Sequence, residues 1–243
     1  MREAPSTNAA VAARARAGES AGLVLVADHQ TSGRGRLDRT WVTPPGAALT
    51  FSVLLAPDRV EASRWPWLPL LTGIAVAEGV RRVAEVDCGL KWPNDVLVGD
   101  QKLAGILVER VERPGGPVAV VGVGLNVSQT EAELPVPTAT SLALAGASTT
   151  DRTVVLREVL RTLEALYVEW QAERGDPAQG LRPSYLRRCT TLGRSVRVAL
   201  PTREEVRGEA TGVDVDGRLE VRTSDGVRTL GAGDVVHVRP VSG

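Results

Sequence analysis

The sequence predicts an α+β chain, with a larger helix-and-strand domain over residues 1–192 followed by a small all-β module over residues 193–243. Two observations carry this. Up to residue 192, amphipathic stretches with helix caps are interspersed with short Val- and Leu-rich runs. After Gly193 only short Val-rich runs remain, separated by polar turns. A third observation is size: 243 residues hold one large domain, or one medium domain with a small module, and 43% hydrophobic against 24% charged residues describes an ordinary packed core.

The elements follow in chain order. Ser6 or Thr7 can cap a helix through the Ala/Arg-rich stretch to about Arg16, with Gly18 as its stop. Residues 23–27 read as a buried strand, residues 30–39 as a Gly- and Arg-rich loop, and residues 48–55 as a second strand. Mixed three- and four-residue apolar spacing over residues 67–84, ending near Arg81 and Arg82, predicts a helix. Three strand-like pieces come next: residues 90–98, interrupted by Pro93-Asn94-Asp95, then 102–111, then 118–127. A Pro/Thr/Ser-rich loop spans 129–150, and Asp151 or Thr153 opens a long helix to about Glu173, with a shorter one around Tyr185. In the last module Asp216-Gly217 and Asp225-Gly226 are two-residue hairpin signals, and about five strands in some fifty residues favour an SH3-like barrel.

Twenty-nine basic residues balance twenty-nine acidic ones, so any phosphate affinity must be local. No apolar run reaches the ~18 residues of a membrane span and the first residues lack a signal-peptide core, so a cytoplasmic protein is expected. Cys88 and Cys189 lie far apart with no CxxC spacing and only His29 and His237 could join them as ligands, so no structural zinc site is expected. Of the basic residues only Lys91 and Lys102 are lysine. In an Ala-, Arg- and Val-rich chain, lysine survives either by chance or where a compact ammonium cannot be replaced by a planar guanidinium.

Four motifs can carry chemistry. In the run Ser32-Gly33-Arg34-Gly35-Arg36-Leu37-Asp38-Arg39-Thr40-Trp41, glycines let backbone N–H groups approach an anion and guanidinium forks match its oxygens; alone, the run is also a solvated or nucleic-acid-binding loop. Lys91-Trp92-Pro93-Asn94-Asp95 offers an amide able to read a base edge, or a plain turn. In the strand beginning at Lys102, period two puts Leu103, Gly105, Leu107 and Glu109 on one face, with Gly105 leaving a gap for a flat ligand. Lys102 falls on the opposite parity, so serving that gap requires a local irregularity. Gly122, Gly124 and Asn126 share a face where a ligand, or a closely packed helix, would occupy the missing side-chain space. There is no GxxxxGK[ST] loop and no complete dinucleotide fingerprint, so a nucleotide would bind by another route.

In this order the motifs closely resemble the biotin protein ligase (biotin–[acetyl-CoA-carboxylase] ligase) family from Ser6 to about Pro240: Ser6-Thr7-Asn8, Gln30, the loop from Gly33 to Arg36 with Arg39 and Trp41, the KWPND run at 91–95, the KLAGIL strand at 102–107 and the GVGLN strand at 122–126. The resemblance implies a mixed sheet flanked by helices, of the class II synthetase-like kind, and then an SH3-like barrel. It also implies a two-step reaction in which biotin and MgATP give biotinyl-5′-AMP, from which a lysine of a biotin carboxyl carrier domain takes the biotin. By the same resemblance Ser6, Thr7, Asn8, Gln30, Arg34, Gly35 and Arg36 contact biotin, and Gly105 and Leu107 line its apolar groove. Arg34, Arg36 and Arg39 hold carboxylate and phosphates; Trp41, Asn94 and Asn126 frame adenine. Lys102, with Arg36, is catalytic, standing between the carboxylate and the α-phosphate. Lys91 and Asp95 fall on the phosphate and metal side. Mg²⁺ arrives with ATP, and neither DNA nor membrane is an expected partner.

Two departures stand out. Asp38 occupies a position where the family usually has glycine, and it can pair with Arg36 or Arg39 in the empty site. The strand that normally precedes Ser-Thr-Asn has only five residues available here, so that edge is expected to be missing or to lie upstream. A lipoate ligase shares the architecture, a ligase that doubles as repressor would need an upstream helix-turn-helix domain, and an inactive binding module is the third alternative. Oligomeric state is left open.

Overall fold

A computed structural model describes residues 1–238. The last residues of the 193–243 module, and the Pro240 end of the resemblance, lie outside the described residues. The edge expected to be missing is present in two-residue form: β1 (Glu3–Ala4) pairs in parallel with β3 (His29–Gln30), downstream of β2 (Val24–Ala27). Helix α1 (Thr7–Arg16) starts at Ser6, whose extended backbone lets its Oγ accept the Ala9 N–H at 3.4 Å, and it stops one residue before Gly18.

The main sheet combines β2 with β4 (Ala48–Leu55), β5 (Gly89–Lys91), β6 (Asp95–Val98), β7 (Gln101–Val111) and β8 (Val118–Asn126), in the order β2-β4-β8-β7-β6-β5. Every ladder in it is antiparallel; the parallel pairing of the expected mixed sheet comes from the separate β1–β3 ladder and from single bridges of Leu90 to Cys189 and of Lys102 to Ala139. The expected strand at 90–98 is two strands, because Trp92-Pro93-Asn94 reverses the chain and Lys91 pairs back onto Asp95. All eight residues of β4 are buried because helices cover both faces. Its odd positions, Leu49, Phe51, Val53 and Leu55, join the core under α2 (Trp67–Ala84) and α3 (Arg152–Ala172). Leu54 faces α1, and Thr50 and Ser52 share its parity.

The two layers differ in character. α2 is buried along most of its length, and α3 comes so close that a Cβ on Gly79 would lie 2.8 Å from Val159. α1 buries only one large apolar side chain, Val11, worth about 1.5 kcal/mol. Its first turn is fixed instead by polar contacts of Thr7 and Asn8, which places the site on the α1 face.

After α4 (Leu181–Arg188), five strands make one antiparallel sheet: β9 (Ser195–Ala199), β10 (Glu205–Val213), β11 (Leu219–Thr223), β12 (Gly226–Leu230) and β13 (Asp234–His237), in the order β12-β11-β10-β9-β13. The module is the five-stranded antiparallel sheet expected of it, and among the described residues no ladder joins β12 to β13. The first four residues of β12 are exposed and only Leu230 is buried. Neither turn signal sits where expected. Thr223 pairs with Gly226 around Ser224-Asp225, and Asp216-Gly217 lies in a longer loop, where Asp214 Oδ1 accepts the N–H groups of Asp216 and Arg218. That loop docks on the first domain: Trp67 Nε1 donates to the Val215 carbonyl at 2.8 Å and Trp92 Nε1 to the Gly217 carbonyl at 3.0 Å. Gly217, at φ +79°, is in the left-handed region that favours glycine.

Candidate active site

A cavity of about 120 Å³ opens on the α1 face of the sheet. It is lined by Ser6, Thr7, Asn8, Gln30, Arg34, Gly35, Arg36, Arg39, Trp41, Asn94, Lys102, Gly105 and Leu107, thirteen of the fourteen residues that sequence reasoning singles out. Asn126 instead lines an adjoining open groove of about 1160 Å³, which shares Arg39, Trp41, Asp95, Lys102 and Asp234 with the cavity and continues past Lys91, Arg194 and His237.

The parity obstacle at Lys102 is removed by a β-bulge. Leu97 pairs with Lys102 but Val96 pairs with Ala104, so Leu103 is an extra residue in β7. Lys102 thereby joins the face of Gly105, and its Nζ lies 3.1 Å from where a Cβ on Gly105 would be. It forms an ion pair with Asp95 Oδ1 at 2.6 Å and stands 5.8 Å from the centroid of the Trp41 ring. Three glycines clear the floor. A Cβ on Gly124 would fall 2.4 Å from the Trp41 ring and one on Gly122 2.1 Å from Asn8 Oδ1. The space over these two strand glycines is therefore filled by the protein's own indole and amide. Trp41 Nε1 is buried with no hydrogen-bond partner among the described residues.

At the α1 end a polar network fixes the triplet. Gln30 Oε1 accepts the Thr7 N–H at 2.7 Å, and Ser52 Oγ lies 2.8 Å from Thr7 Oγ1 and donates to Asn8 Oδ1 at 2.6 Å. Asn8 Nδ2 donates to the Leu107 carbonyl and to Glu109 Oε2, and the same Glu109 oxygen accepts from Arg34 at 2.8 Å. Sequence reasoning missed Ser52, although a hydroxyl opposite Gly122 in an apolar strand was a signal.

The arginine loop is tied to the C-terminal sheet. Arg39 forms a two-pronged ion pair with Asp234, and Arg36 donates to Asn94 Oδ1 at 3.1 Å and to the Gly233 carbonyl at 3.4 Å. Asp38 is thus not the partner of either arginine; it is exposed at φ +58°, after Leu37 at φ +54°, a backbone that suits glycine. Burial lowers the Arg36 pKa from its ordinary value, although Asp95 and Asp234 oppose this. Burial resists ionisation of Asp234, but the hydrogen bond and charge of Arg39, with Lys91 and Arg36, outweigh it and hold the carboxyl below its usual range. In the groove, burial, Lys91 and Arg194 push His237 down to about 4. Asn126 uses both ends of its amide internally, donating to the Thr140 carbonyl and accepting from Gln129. Asn94 donates likewise to the Ile106 carbonyl. Among the described residues no group of three His, Cys, Asp or Glu could hold a metal.

The arrangement gathers arginines, a polar triplet and an indole in one cavity around one ammonium, which suits joining two anionic groups. Comparisons agree. The model of the biotin/lipoate A/B protein ligase family matches residues 3–127, and that of the biotin protein ligase C terminal domain matches residues 191–238. The biotin--[acetyl-CoA-carboxylase] ligase of Mycobacterium tuberculosis is 42% identical over 238 residues, 96% of this chain and 86% of that protein. The bifunctional ligase/repressor BirA of Bacillus subtilis is 31% identical over 88% of this chain, which spans 66% of that relative's length. A biotin protein ligase from Aquifex aeolicus, solved in complex with biotin and ATP, superposes with a TM-score of 0.80 at 29% identity, covering 98% of this chain and 97% of that one. With matched motifs, matched fold and extended identity in agreement, the chain belongs to the biotin protein ligase family.

Proposed function

We propose that this protein is a cytoplasmic, ATP-dependent biotin–protein ligase whose catalytic domain spans residues 1–192 and whose C-terminal module spans 193–243. The observation that carries the reading is Lys102, turned by its bulge onto the face of Gly105, in the cavity that Arg36 and Trp41 also line. In the first step a carboxylate oxygen of biotin attacks the α-phosphorus of ATP. The new O–P bond gives biotinyl-5′-AMP, and the α–β bridge breaks to release pyrophosphate. Lys102 stands where the negative charge of both reactants converges, and Arg36 and Arg39 offer forks to the phosphates. Asn8, Thr7, Ser6 and Gln30 present polar groups to biotin's ring end; Leu107 supplies apolar wall. Trp41 Nε1 has a hydrogen to give to a ligand oxygen or nitrogen.

Magnesium is normally bound by one or two carboxylates with substrate phosphates and water, and Asp95 and Asp234 supply two carboxylates at the groove. The ion would screen phosphate charge there. In the second step a carrier lysine, as the free amine, attacks the anhydride carbonyl; the C–N bond forms, AMP leaves, and the amine proton passes to solvent. The acceptor is a biotin carboxyl carrier domain of a carboxylase, reached through the open groove. Pyrophosphate release with biotin or lipoate as the acid tests this: biotin-dependent release is expected, and a lipoate preference or no release with either overturns it.

A further inference from the structure

Glu109 lies on β7 with the parity of Gly105 and Leu107, four residues or about 13 Å along the strand from Gly105 and at the opposite end of the site from Lys102. Its Oε2 is shared, accepting from Asn8 Nδ2 and from Arg34 NH2, each at 2.8 Å. Two consequences follow from donor counting. Both hydrogens of the Asn8 amide are engaged, by Glu109 and the Leu107 carbonyl, so its oxygen must face Ser52 and the space over Gly122. Arg34, which the resemblance assigns to carboxylate and phosphates, is held instead through one nitrogen by this far end of the strand, across 75 residues of sequence. An acceptor with no hydrogens is what these two donors need; a serine or amide nitrogen here would release the Asn8 flip.

We propose that Glu109 is a positioning residue for the non-reacting end of the substrate: it fixes the Asn8 amide and anchors Arg34, and so sets biotin affinity without touching the reacting atoms. This rests on the biotin ligase reading above. The partly exposed Glu109–Arg34 pair alone is worth little, but a shared oxygen that also orients a buried amide is worth more.

The test is steady-state pyrophosphate release by the full-length protein, with biotin and ATP varied separately. Glu109→Ala is expected to raise the KM for biotin about five- to tenfold while the KM for ATP stays within about twofold and kcat within about threefold. Glu109→Gln keeps an acceptor for Asn8 and loses the charge facing Arg34, so its KM for biotin falls between wild type and Glu109→Ala. Lys102 lies on the same strand, so a merely structural role would move kcat and the KM for ATP as well. An unchanged KM for biotin in Glu109→Ala overturns the proposal, as does a parallel shift in both KM values and kcat, or failure of Glu109→Gln to recover part of the loss. A wild-type protein with no biotin-dependent release would instead overturn the ligase reading itself.

Discussion

Replacing Lys102 with arginine keeps the charge and moves it. The ammonium is wedged between Asp95 Oδ1 at 2.6 Å and the floor, where Gly105 leaves 3.1 Å from a hypothetical Cβ to Nζ and 3.4 Å to the Trp41 ring. A guanidinium is longer and planar, so its centre must sit about 1.5 Å farther from the reacting oxygens. With an effective dielectric of about 20, one unit charge at about 3 Å contributes about 5.5 kcal/mol and at about 4.5 Å about 3.7 kcal/mol. The difference, about 1.8 kcal/mol, is a rate loss of about 20-fold for each unit of charge that develops in the transition state. Lys102→Ala removes the charge and should lose about 10²–10³-fold. Biotin-dependent exchange of labelled pyrophosphate into ATP reads the first step alone, and a thermal melt checks folding. A Lys102→Arg protein with kcat within threefold of wild type and an unchanged melting midpoint would refute the point-charge argument.

Gly122→Ala puts a Cβ 2.1 Å from Asn8 Oδ1, so the amide must swing away from Ser52 and Glu109. The expected cost is about 1–3 kcal/mol of stability, seen as a lower melting midpoint, with biotin affinity by calorimetry falling at least about tenfold; retained affinity would mean that Asn8 does not contact biotin. His237 is held neutral, with a folded pKa of about 4 against 6.5 unfolded, so the unfolded chain takes up its proton first as pH falls. Stability should therefore decline from pH 6.5 to about 4 and then level, by about 1.7 kcal/mol after halving for solvent screening. His237→Asn should flatten that part of the urea-denaturation profile relative to wild type; an identical slope would remove His237 from the account.

Much of this molecule was legible because its signals are local. The helix at 67–84 appears at those bounds, Asp151 caps α3 by accepting the Thr153 and Val154 N–H groups, and the short motifs gather thirteen of their residues in one cavity. What was not legible depends on pairing between distant segments. Period-two reasoning turned Lys102 away from Gly105, because a bulge is defined by the partner strand and leaves no mark in its own. Nearness in sequence allows Asp38 to pair with Arg36 or Arg39, yet Asp234, 195 residues away, holds Arg39. Glu109 was visible on the right face, but its two donors come from α1 and the arginine loop, and only the fold brings them together.

The extra residue at Leu103 makes the length of one strand part of the chemistry. Forcing it into register, with Leu103 paired as an ordinary strand residue, would leave every charged group of the chain in place and yet rotate Lys102 through half a turn onto the far side of the sheet. Backbone geometry one residue long thus decides on which side of the sheet the ammonium stands, with the amino-acid composition unchanged.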